Sequence, residues 1–434
     1  MESYTVKLTM DDTPSTSVKS ASILTGLICS IAVSAFFFPF GFNQFMPNSF
    51  NTKIGMALMS APLLVYTCLK TRSIQVDTAL IPSVFLAILF SLACFISVDF
   101  NGTADYSYAS YIFSFGTWLG AGYTTYRILK YFYVVVDFEL LTRYLVIVCV
   151  GQCILALAID NLSWLKMLVD AYISQSAVAP TTFLNEVDRL YGIGASLDPA
   201  GTRFSIVLLA ISTVLAKQIA AGTQHRSVYL YWGAFIVITT IGNMISRTTL
   251  IGALLGLGML CFKSGVFRAR INTGTLRISV GLLLLLVACL LPSIYFYQHD
   301  AEMRQLLRYG FEGFFNWVEK GEWSTSSTDL LLNAWIWPDD RMGWIIGYGL
   351  FDNWAFGTDI GYCRFIMYSG WIGMLLFAIF FIYNASACSR KFPSHRLFFL
   401  MLVLLSFLIW IKVSTDLYLI YALFFCIDAE NKQT

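Results

Sequence analysis

Residues 20–40 read SASILTGLICSIAVSAFFFPF, a run without a single Asp, Glu, Lys or Arg. A helix needs about 20 apolar residues to cross a bilayer, and in lipid it must satisfy its own backbone hydrogen bonds. The run also has the look of a signal peptide, but many more apolar blocks follow it. It therefore predicts an uncleaved first membrane span.

The rest of the chain repeats this pattern over 434 residues, of which 57% are hydrophobic and 12% charged, with a mean hydropathy of +0.69. About a quarter of the residues in a soluble domain are charged. The composition predicts an all-α polytopic membrane protein with about 12 transmembrane helices. No linker or repeat divides it, so 1–434 should form a single integral membrane domain. The net charge of +2 gives no reason to expect nucleic acid as a partner.

The apolar blocks place the membrane spans. The predicted spans are 21–38, 54–69, 78–98, 107–126, 143–160, 204–216, 228–242, 249–262, 278–296, 360–383, 397–411 and 414–427. The last two are short, and they are read either as one bent hairpin or as two tilted spans.

The distribution of Lys and Arg sets the orientation, because cytoplasmic loops are enriched in both. With the N-terminus inside, the cytoplasmic side holds 17 of the 28 Lys and Arg and 8 of the 26 acidic residues. The two long connections, 161–203 and 297–359, then lie on the outer face. A connection of about sixty residues is uncommon without a function.

Charged residues are concentrated where the outer connections enter the membrane. The stretch RLYGIGASLDPAGTRFS (189–205) contributes Arg189, Asp198 and Arg203 around a turn containing Gly and Pro. An arginine cannot shed its charge, and its planar fork grips two oxygens of a phosphate or carboxylate. Arg189 and Arg203 are therefore candidate substrate-binding residues, and Asp198 is a candidate catalytic carboxylate.

A second arginine position lies in GNMISRTTLIG (242–252), where Arg247 occupies a very short turn between two apolar spans. A single boundary arginine is usually explained by snorkelling towards lipid headgroups. The alternative for Arg189, Arg247 and Arg364 together, all on one face, is a shared anionic ligand. Both interpretations stay open at this point.

The stretch GTDIGYCRFIMYSGWIG (357–373) opens the tenth predicted span. Asp359 and Arg364 are its candidate catalytic residues, and Tyr362, three positions after Asp359, is a candidate substrate-binding residue on a nearby helix face. The simpler interpretation of Asp359 is the N-cap of the helix. Gly370 is read as a helix-packing position.

The long outer connection contains the amphipathic stretch EMRQLLRYGFEGFFNWVEKG (302–321). Its apolar residues recur at helical spacing, which predicts a helix lying on the outer leaflet and partly covering the site. Arg308 and Glu312 are expected to form an ion pair on its surface.

Later in this connection, NAWIWPDDRMGWIIGYG (333–349) contributes Arg341, a further candidate substrate-binding residue. Asp339 and Asp340 are compatible with a divalent metal, but two adjacent acids in a turn are weak support for one. No zinc, dinucleotide or phosphate-loop motif is present, so no cofactor and no metal are expected.

Three motifs in this order, RLYGIGASLDPAG, SRTTLIG and TDIGYCRFIMYSGWIG, resemble those of the O-antigen polymerase family, which is related to the O-antigen ligases. The resemblance covers the span layout from about residue 140 onwards. Ligases usually carry a His near the start of the last motif, where this chain has Asp359, which favours a polymerase. Ile360 and Cys363 depart from the family pattern, which often has Asn and Leu there.

The resemblance implies a glycosyltransferase C-like fold in the bacterial inner membrane, with the site facing the periplasm. It also implies an inverting transfer of glycan from undecaprenyl pyrophosphate to the non-reducing end of an incoming lipid-linked repeat. The expected partners are these lipid-linked oligosaccharides, the bilayer and a chain-length regulator. Asp359, or else Asp198, would accept the proton, and the arginines would hold the pyrophosphate.

Three alternatives remain. A ligase would move glycan onto lipid A core, and a flippase would carry lipid-linked sugar across the membrane. A structural partner in polysaccharide export would need no outward cluster of arginines. A transporter is expected to place charged residues deep within several spans, whereas here they lie at span ends.

Overall fold

The computed structural model describes residues 23–43, 50–72, 77–175, 184, 189–220, 226–264, 280–281, 287, 291, 294–325, 334–351 and 356–430. These residues are predominantly helical with almost no strand, which confirms the predicted all-α class. The strands in them are two short segments, β1 (Gly41–Phe42) and β2 (Ile173–Ser174), which pair antiparallel.

The helices in chain order are α1 (Ile23–Phe37), α2 (Thr52–Thr71), α3 (Leu80–Asn101), α4 (Tyr111–Phe132), α5 (Phe138–Asn161), α6 (Ser163–Tyr172), α7 (Leu197–Ala220), α8 (Arg226–Ile245), α9 (Thr249–Ser264), α10 (Ala301–Gly310), α11 (Glu312–Lys320), α12 (Arg341–Ile345), α13 (Gly361–Lys391), α14 (Arg396–Ile409) and α15 (Tyr418–Cys426). A short 3-10 helix, Pro393–His395, precedes α14.

Six of the described helices, α2, α3, α5, α7, α8 and α13, are long and apolar enough to cross a membrane. Shorter apolar helices are α1, α9 and the stretch Pro393–Ile409. The chain is therefore a multi-pass helical membrane protein. The predicted span 278–296 falls mostly on residues outside the described ranges, and the count of 12 spans stays a prediction.

Connections that the sequence assigns to the same face contact one another. At one end, the pairing of β1 with β2 joins two connections that the sequence assigns to the outer face. A hydrogen bond from the Phe351 N–H to the Asp105 carboxylate joins two more such connections. At the opposite end, Lys130 Nζ lies 2.6 Å from Asp428 Oδ2, which joins two connections assigned to the cytoplasm. The helices thus separate the outer candidate residues from the basic connections.

The outer amphipathic stretch forms two helices, α10 and α11, rather than the single predicted helix. The backbone of Phe311, at φ −121° and ψ 30°, separates them, so the spacing expected between residues 308 and 312 is lost. The predicted Arg308–Glu312 pair is wrong. Arg308 instead contacts Glu319 at 2.5 Å, and Glu312 contacts Arg247 at 3.3 Å.

Helix α13 is interrupted at Gly370, which adopts φ 63° and ψ −171°. Near the break, the carbonyl oxygens of Met367 and Tyr368 accept hydrogen bonds from the backbone N–H groups of Tyr348 (2.6 Å) and Gly349 (3.0 Å). Gly370 is therefore more than a packing position. Its left-handed φ, which favours glycine, accompanies the docking of the outer connection against the helix.

Replacing Gly370 with alanine should lower the free energy of unfolding by about 2 kcal/mol or more, because it adds a side chain at positive φ. The new Cβ would lie 2.1 Å from the Ile345 carbonyl oxygen. Thermal unfolding in detergent measures the effect. Gly116→Ala in α4 is the control, since a Cβ there meets nothing within 4 Å. Equal unfolding midpoints for the two variants would contradict this account.

Aromatic rings pack the first half of α13 against its neighbours. Phe377 of α13 stacks on Trp410 at the end of α14, with ring centroids 5.5 Å apart. Tyr108, just before α4, meets the edge of the Phe351 ring at 4.7 Å and the Phe365 ring at 5.4 Å. This packing holds Phe351 beside the first turn of α13, where Arg364 lies.

Candidate active site

Asp198, in the first turn of α7, is the centre of a polar cluster at the end of the bundle that the sequence assigns to the outer face. Its Oδ1 accepts hydrogen bonds from the hydroxyls of Ser246 (3.0 Å) and Thr248 (2.5 Å) and from Lys412 Nζ (2.9 Å). These donors come from the α8–α9 turn and the α14–α15 connection. The carboxylate therefore ties three distant segments of the chain together.

Small residues allow this close approach of α7 to the α8–α9 turn and α9. A Cβ at Gly252 would lie 2.2 Å from Ser205 Cα, and one at Gly201 would lie 2.5 Å from Ser246 Oγ. The Ser205 hydroxyl also donates to the Thr248 carbonyl at 3.0 Å. The SRTTLIG motif is thus pressed against the first turns of α7, which brings its hydroxyls within reach of Asp198.

Arg364 is the fourth residue of α13, one turn inside the helix as predicted. Its Nη2 donates to the Phe351 carbonyl at 2.6 Å, and its Nη1 donates to Ser414 Oγ at 3.1 Å. The guanidinium carbon also lies 3.9 Å from the centroid of the Phe351 ring. The planar fork therefore links the long outer connection to the α14–α15 connection.

The α14–α15 connection, IKVSTDL (411–417), reaches both parts of the cluster. Lys412 contacts Asp198, and Ser414 contacts Arg364. The connection is held in shape because the Trp410 Nε1–H donates to the Thr415 carbonyl at 3.0 Å. Sequence reasoning assigned no role to Lys412. The sequence signal that could have identified Lys412 is the polar run that separates two apolar stretches.

Asp359 lies just before α13 with an exposed side chain. The N-cap interpretation of this residue is wrong. The residue flanking the helix is Ile360, and the Ile360 N–H donates to Thr358 Oγ1 at 3.2 Å. Within the described ranges, no hydrogen bond or ion pair involves the Asp359 carboxylate, so it is available to a bound molecule.

Charged groups of the cluster act on the pKa of Asp359. The protein around this accessible carboxylate partly desolvates it and raises its pKa, and the negative charge of Asp198 raises the pKa further, while Arg364 and Lys412 act in the opposite direction. Of the two candidate bases, Asp359 is the more suitable, because Asp198 already accepts three hydrogen bonds from protein groups.

Arg247 precedes Thr248 in the turn that contacts Asp198. Its Nη1 lies 3.3 Å from Glu312 Oε2, at the start of α11. Helix α11 therefore contacts this turn, and the predicted covering of the site by an amphipathic helix stays a prediction. The charge of Arg247 is shared with a carboxylate of this helix.

Two candidate substrate-binding residues have other surroundings. The Tyr362 hydroxyl donates to the Phe407 carbonyl at 2.9 Å, and its ring packs edge-on against Trp410. This contact joins α13 to α14. Arg341 is exposed at the start of α12, and its contacts in the described part of the chain include none of the cluster. Their proposed roles in substrate binding stay predictions.

The arginines of the 189–205 stretch differ in depth. Arg189 is partly buried, and much of the chain before it lies outside the described residues. Arg203 lies further along α7, with its guanidinium carbon 5.7 Å from the centroid of the Phe38 ring. Hydrogen bonds and chain adjacency thus connect Asp198, Arg247, Arg364 and Lys412, while Asp359 precedes the helix that carries Arg364 and Arg203 lies further along α7.

Asp340 has a local role in the outer connection. It caps α12 by accepting from the N–H groups of Met342 (3.0 Å) and Gly343 (3.1 Å), and it accepts from the Tyr348 hydroxyl at 2.6 Å. The Tyr348 hydroxyl and then the Gly343 N–H lower its pKa. Over the described residues, no group of three or more His, Cys, Asp or Glu side chains is arranged to hold a metal ion.

A scan against protein-family models finds no match for the chain, and searches of curated proteins and of solved structures find none either. The resemblance to O-antigen polymerases therefore depends on the three motifs and the span layout.

Proposed function

We propose that this protein is a polysaccharide polymerase, an inverting glycosyltransferase with 12 spans and a glycosyltransferase C-like fold in the bacterial inner membrane. It would extend O-antigen or a similar surface polysaccharide on the periplasmic side. The observation that supports the proposal is the convergence of an available carboxylate, Asp359, with Arg364 and Lys412 at one end of the bundle.

The donor in this reaction must carry its own leaving group, because nucleotide sugars are absent outside the cytoplasm. Undecaprenyl pyrophosphate meets this need. A hydroxyl of the incoming repeat attacks the anomeric carbon of the growing glycan and gives its proton to Asp359. The carbon–oxygen bond to the pyrophosphate breaks on the opposite side, and Arg364 and Arg247 stabilise the charge that develops there.

Lys412 and Asp198 act in this scheme as positioning residues. The ammonium of Lys412 lies between the Asp198 carboxylate and the Thr248 hydroxyl, at 2.9 Å and 3.4 Å. This arrangement keeps Ser414, two residues later, in place to orient the fork of Arg364. Asp198, the second candidate for the base, is therefore better suited to a structural role.

The rate of glycan transfer should fall as the pH drops through the raised pKa of Asp359, because only the ionised carboxylate accepts a proton. This acid limb should lie above the ordinary value of 3.8. Asp359→Asn should slow transfer about 100-fold or more at pH values above this pKa, and its rate should lack the acid limb. The measurement is the rate with a purified lipid-linked repeat across pH. Asp339→Asn, an exposed neighbour in the same connection, is the control and should leave the profile unchanged.

Deleting the gene and restoring it on a plasmid tests the function itself. A polymerase predicts lipopolysaccharide with a single repeat on lipid A core in the deletion strain, and a restored ladder after complementation. Complete absence of transferred glycan would instead indicate a ligase. Lipid-linked repeats retained on the cytoplasmic leaflet would indicate a flippase, and either result would refute the polymerase proposal.

A further inference from the structure

Four tryptophan rings form a continuous row along the long outer connection and the helix that follows it. Trp335 and Trp337 lie in the stretch before α12, Trp344 lies in α12, and Trp371 follows the break in α13. Successive ring centroids are 5.5, 5.6 and 6.0 Å apart, and the planes of successive rings differ by 37°, 20° and 14°. Three segments of the chain therefore contribute to one tryptophan row.

The tryptophan row is accessible from outside the protein. Trp335, Trp337 and Trp371 are exposed, and Trp344 is half-buried. An indole ring presents a large, rigid apolar surface. A contiguous exposed surface of this kind marks a place where a ligand or the membrane is contacted.

One end of the row is fixed beside the segment that carries Asp359. The carbonyl oxygen of Ala334, the residue before Trp335, accepts a hydrogen bond from the Thr358 hydroxyl at 2.6 Å. The same hydroxyl oxygen accepts from the Ile360 N–H at 3.2 Å. Asp359 lies between these two residues, so the row begins next to the candidate base.

The other end of the row borders the membrane. Ile345 and Ile372, which follow Trp344 and Trp371 in the chain, line an apolar groove together with Leu92 of α3. All three lining residues are exposed, and α3 is long and apolar enough to cross a membrane. Exposed apolar residues on such a helix face lipid, so the groove opens towards the bilayer.

The simpler interpretation of exposed tryptophans in a membrane protein is an anchor at the lipid–water interface. That interpretation does not account for the middle of the row. Asp340 and Arg341, both exposed, lie in the chain between Trp337 and Trp344. Charged side chains are costly in lipid, so this part of the row faces water.

We infer that the tryptophan row binds the glycan of the lipid-linked substrate, with the apolar faces of its sugar rings stacked on the indoles. The inference rests on the proposed function, which supplies that glycan. A sugar chain whose lipid stays in the bilayer has to pass from the membrane to the candidate base, and the row joins these two places. Arg341, three residues before Trp344 on α12, offers hydrogen-bond donors to sugar hydroxyls.

Protection from oxidation tests the row in the unaltered protein. The purified full chain in detergent is treated with N-bromosuccinimide, and the oxidised tryptophans are located by mass spectrometry. The probe is the oligosaccharide released by mild acid from the surface polysaccharide of the source strain, freed of lipid and pyrophosphate. It should slow the oxidation of Trp335 and Trp337 several-fold. Trp164, exposed in α6, is the internal control and should react at an unchanged rate.

The affinity of variants for the same oligosaccharide gives a second measurement. Trp335→Leu and Trp337→Leu should each raise the Kd about 3- to 10-fold, the loss expected for one aromatic contact. Trp337→Phe should retain most of the affinity, because a ring remains. Trp164→Leu is the matched control and should bind as the wild type does.

Three results would overturn the glycan-binding row. They are unprotected Trp335 and Trp337 in the wild type, wild-type affinity in both leucine variants, and an equal loss of affinity in Trp164→Leu. The last result would indicate that these tryptophans anchor the protein at the membrane interface. Because protection is measured on the wild type, a variant that fails to fold does not affect that part of the test.

The same measurements distinguish the row from the polymerase proposal. If the oligosaccharide protects Trp335 and Trp337 but the deletion strain has the phenotype of a ligase or flippase, the row stands and the polymerase proposal fails. If the protein extends glycans while both tryptophans stay unprotected, the polymerase proposal stands and the row fails.

Discussion

Replacing Arg364 with alanine should abolish the polysaccharide ladder while the protein still reaches the membrane. The substitution removes the fork that contacts the Phe351 carbonyl and Ser414, and with it the charge next to Asp359. Losing one such preorganised donor slows transfer about 100- to 1000-fold. Arg364→Lys should recover little activity, since a lysine cannot make both contacts in one plane.

The readouts are the ladder in a complemented deletion strain and the transfer rate of the purified protein. Arg390→Ala is the matched control, because Arg390 is exposed near the other end of the same helix. It should give a normal ladder. A normal ladder from Arg364→Ala, with equal amounts of protein in the membrane, would remove Arg364 from the site.

Replacing Asp198 with alanine should both destabilise the outer end of the bundle and stop chain extension. The change leaves Lys412 without its carboxylate and removes the acceptor of the Ser246 and Thr248 hydroxyls. Breaking such a partly buried pair costs about 2 to 3 kcal/mol of unfolding free energy. Thermal unfolding in detergent measures the loss. Asp198→Asn should be milder, because the amide oxygen still accepts hydrogen bonds.

The matched control is the Lys217–Glu139 pair at the opposite end. These groups lie 2.8 Å apart, but their side chains are 51% and 40% exposed, against 31% and 24% for Lys412 and Asp198. Lys217→Ala should therefore cost less than about 1 kcal/mol. If Lys217→Ala destabilises the protein as much as Asp198→Ala does, the partly buried cluster contributes no more to the unfolding free energy than an exposed ion pair.

Several site residues could be placed from the sequence because each marks the end of an apolar span. Arg364 lies one turn inside α13 as predicted, and Asp198 and Arg247 follow the same logic at α7 and α9. Span ends on one face of a membrane must lie at similar depth, so charged residues at these ends can come into contact. The same argument could not show that Arg364 makes contacts in the site whereas Arg341 is exposed.

The sequence by itself determined that this is a helical membrane protein, because the length and composition of each apolar block act locally, and a helix in lipid satisfies its own backbone. Only the tertiary structure decided that Lys412 reaches Asp198 and that α13 breaks at Gly370. The partners in each of these contacts are far apart in the chain or depend on a neighbouring helix. No local pattern encodes such a pairing, since it follows from how the helices pack.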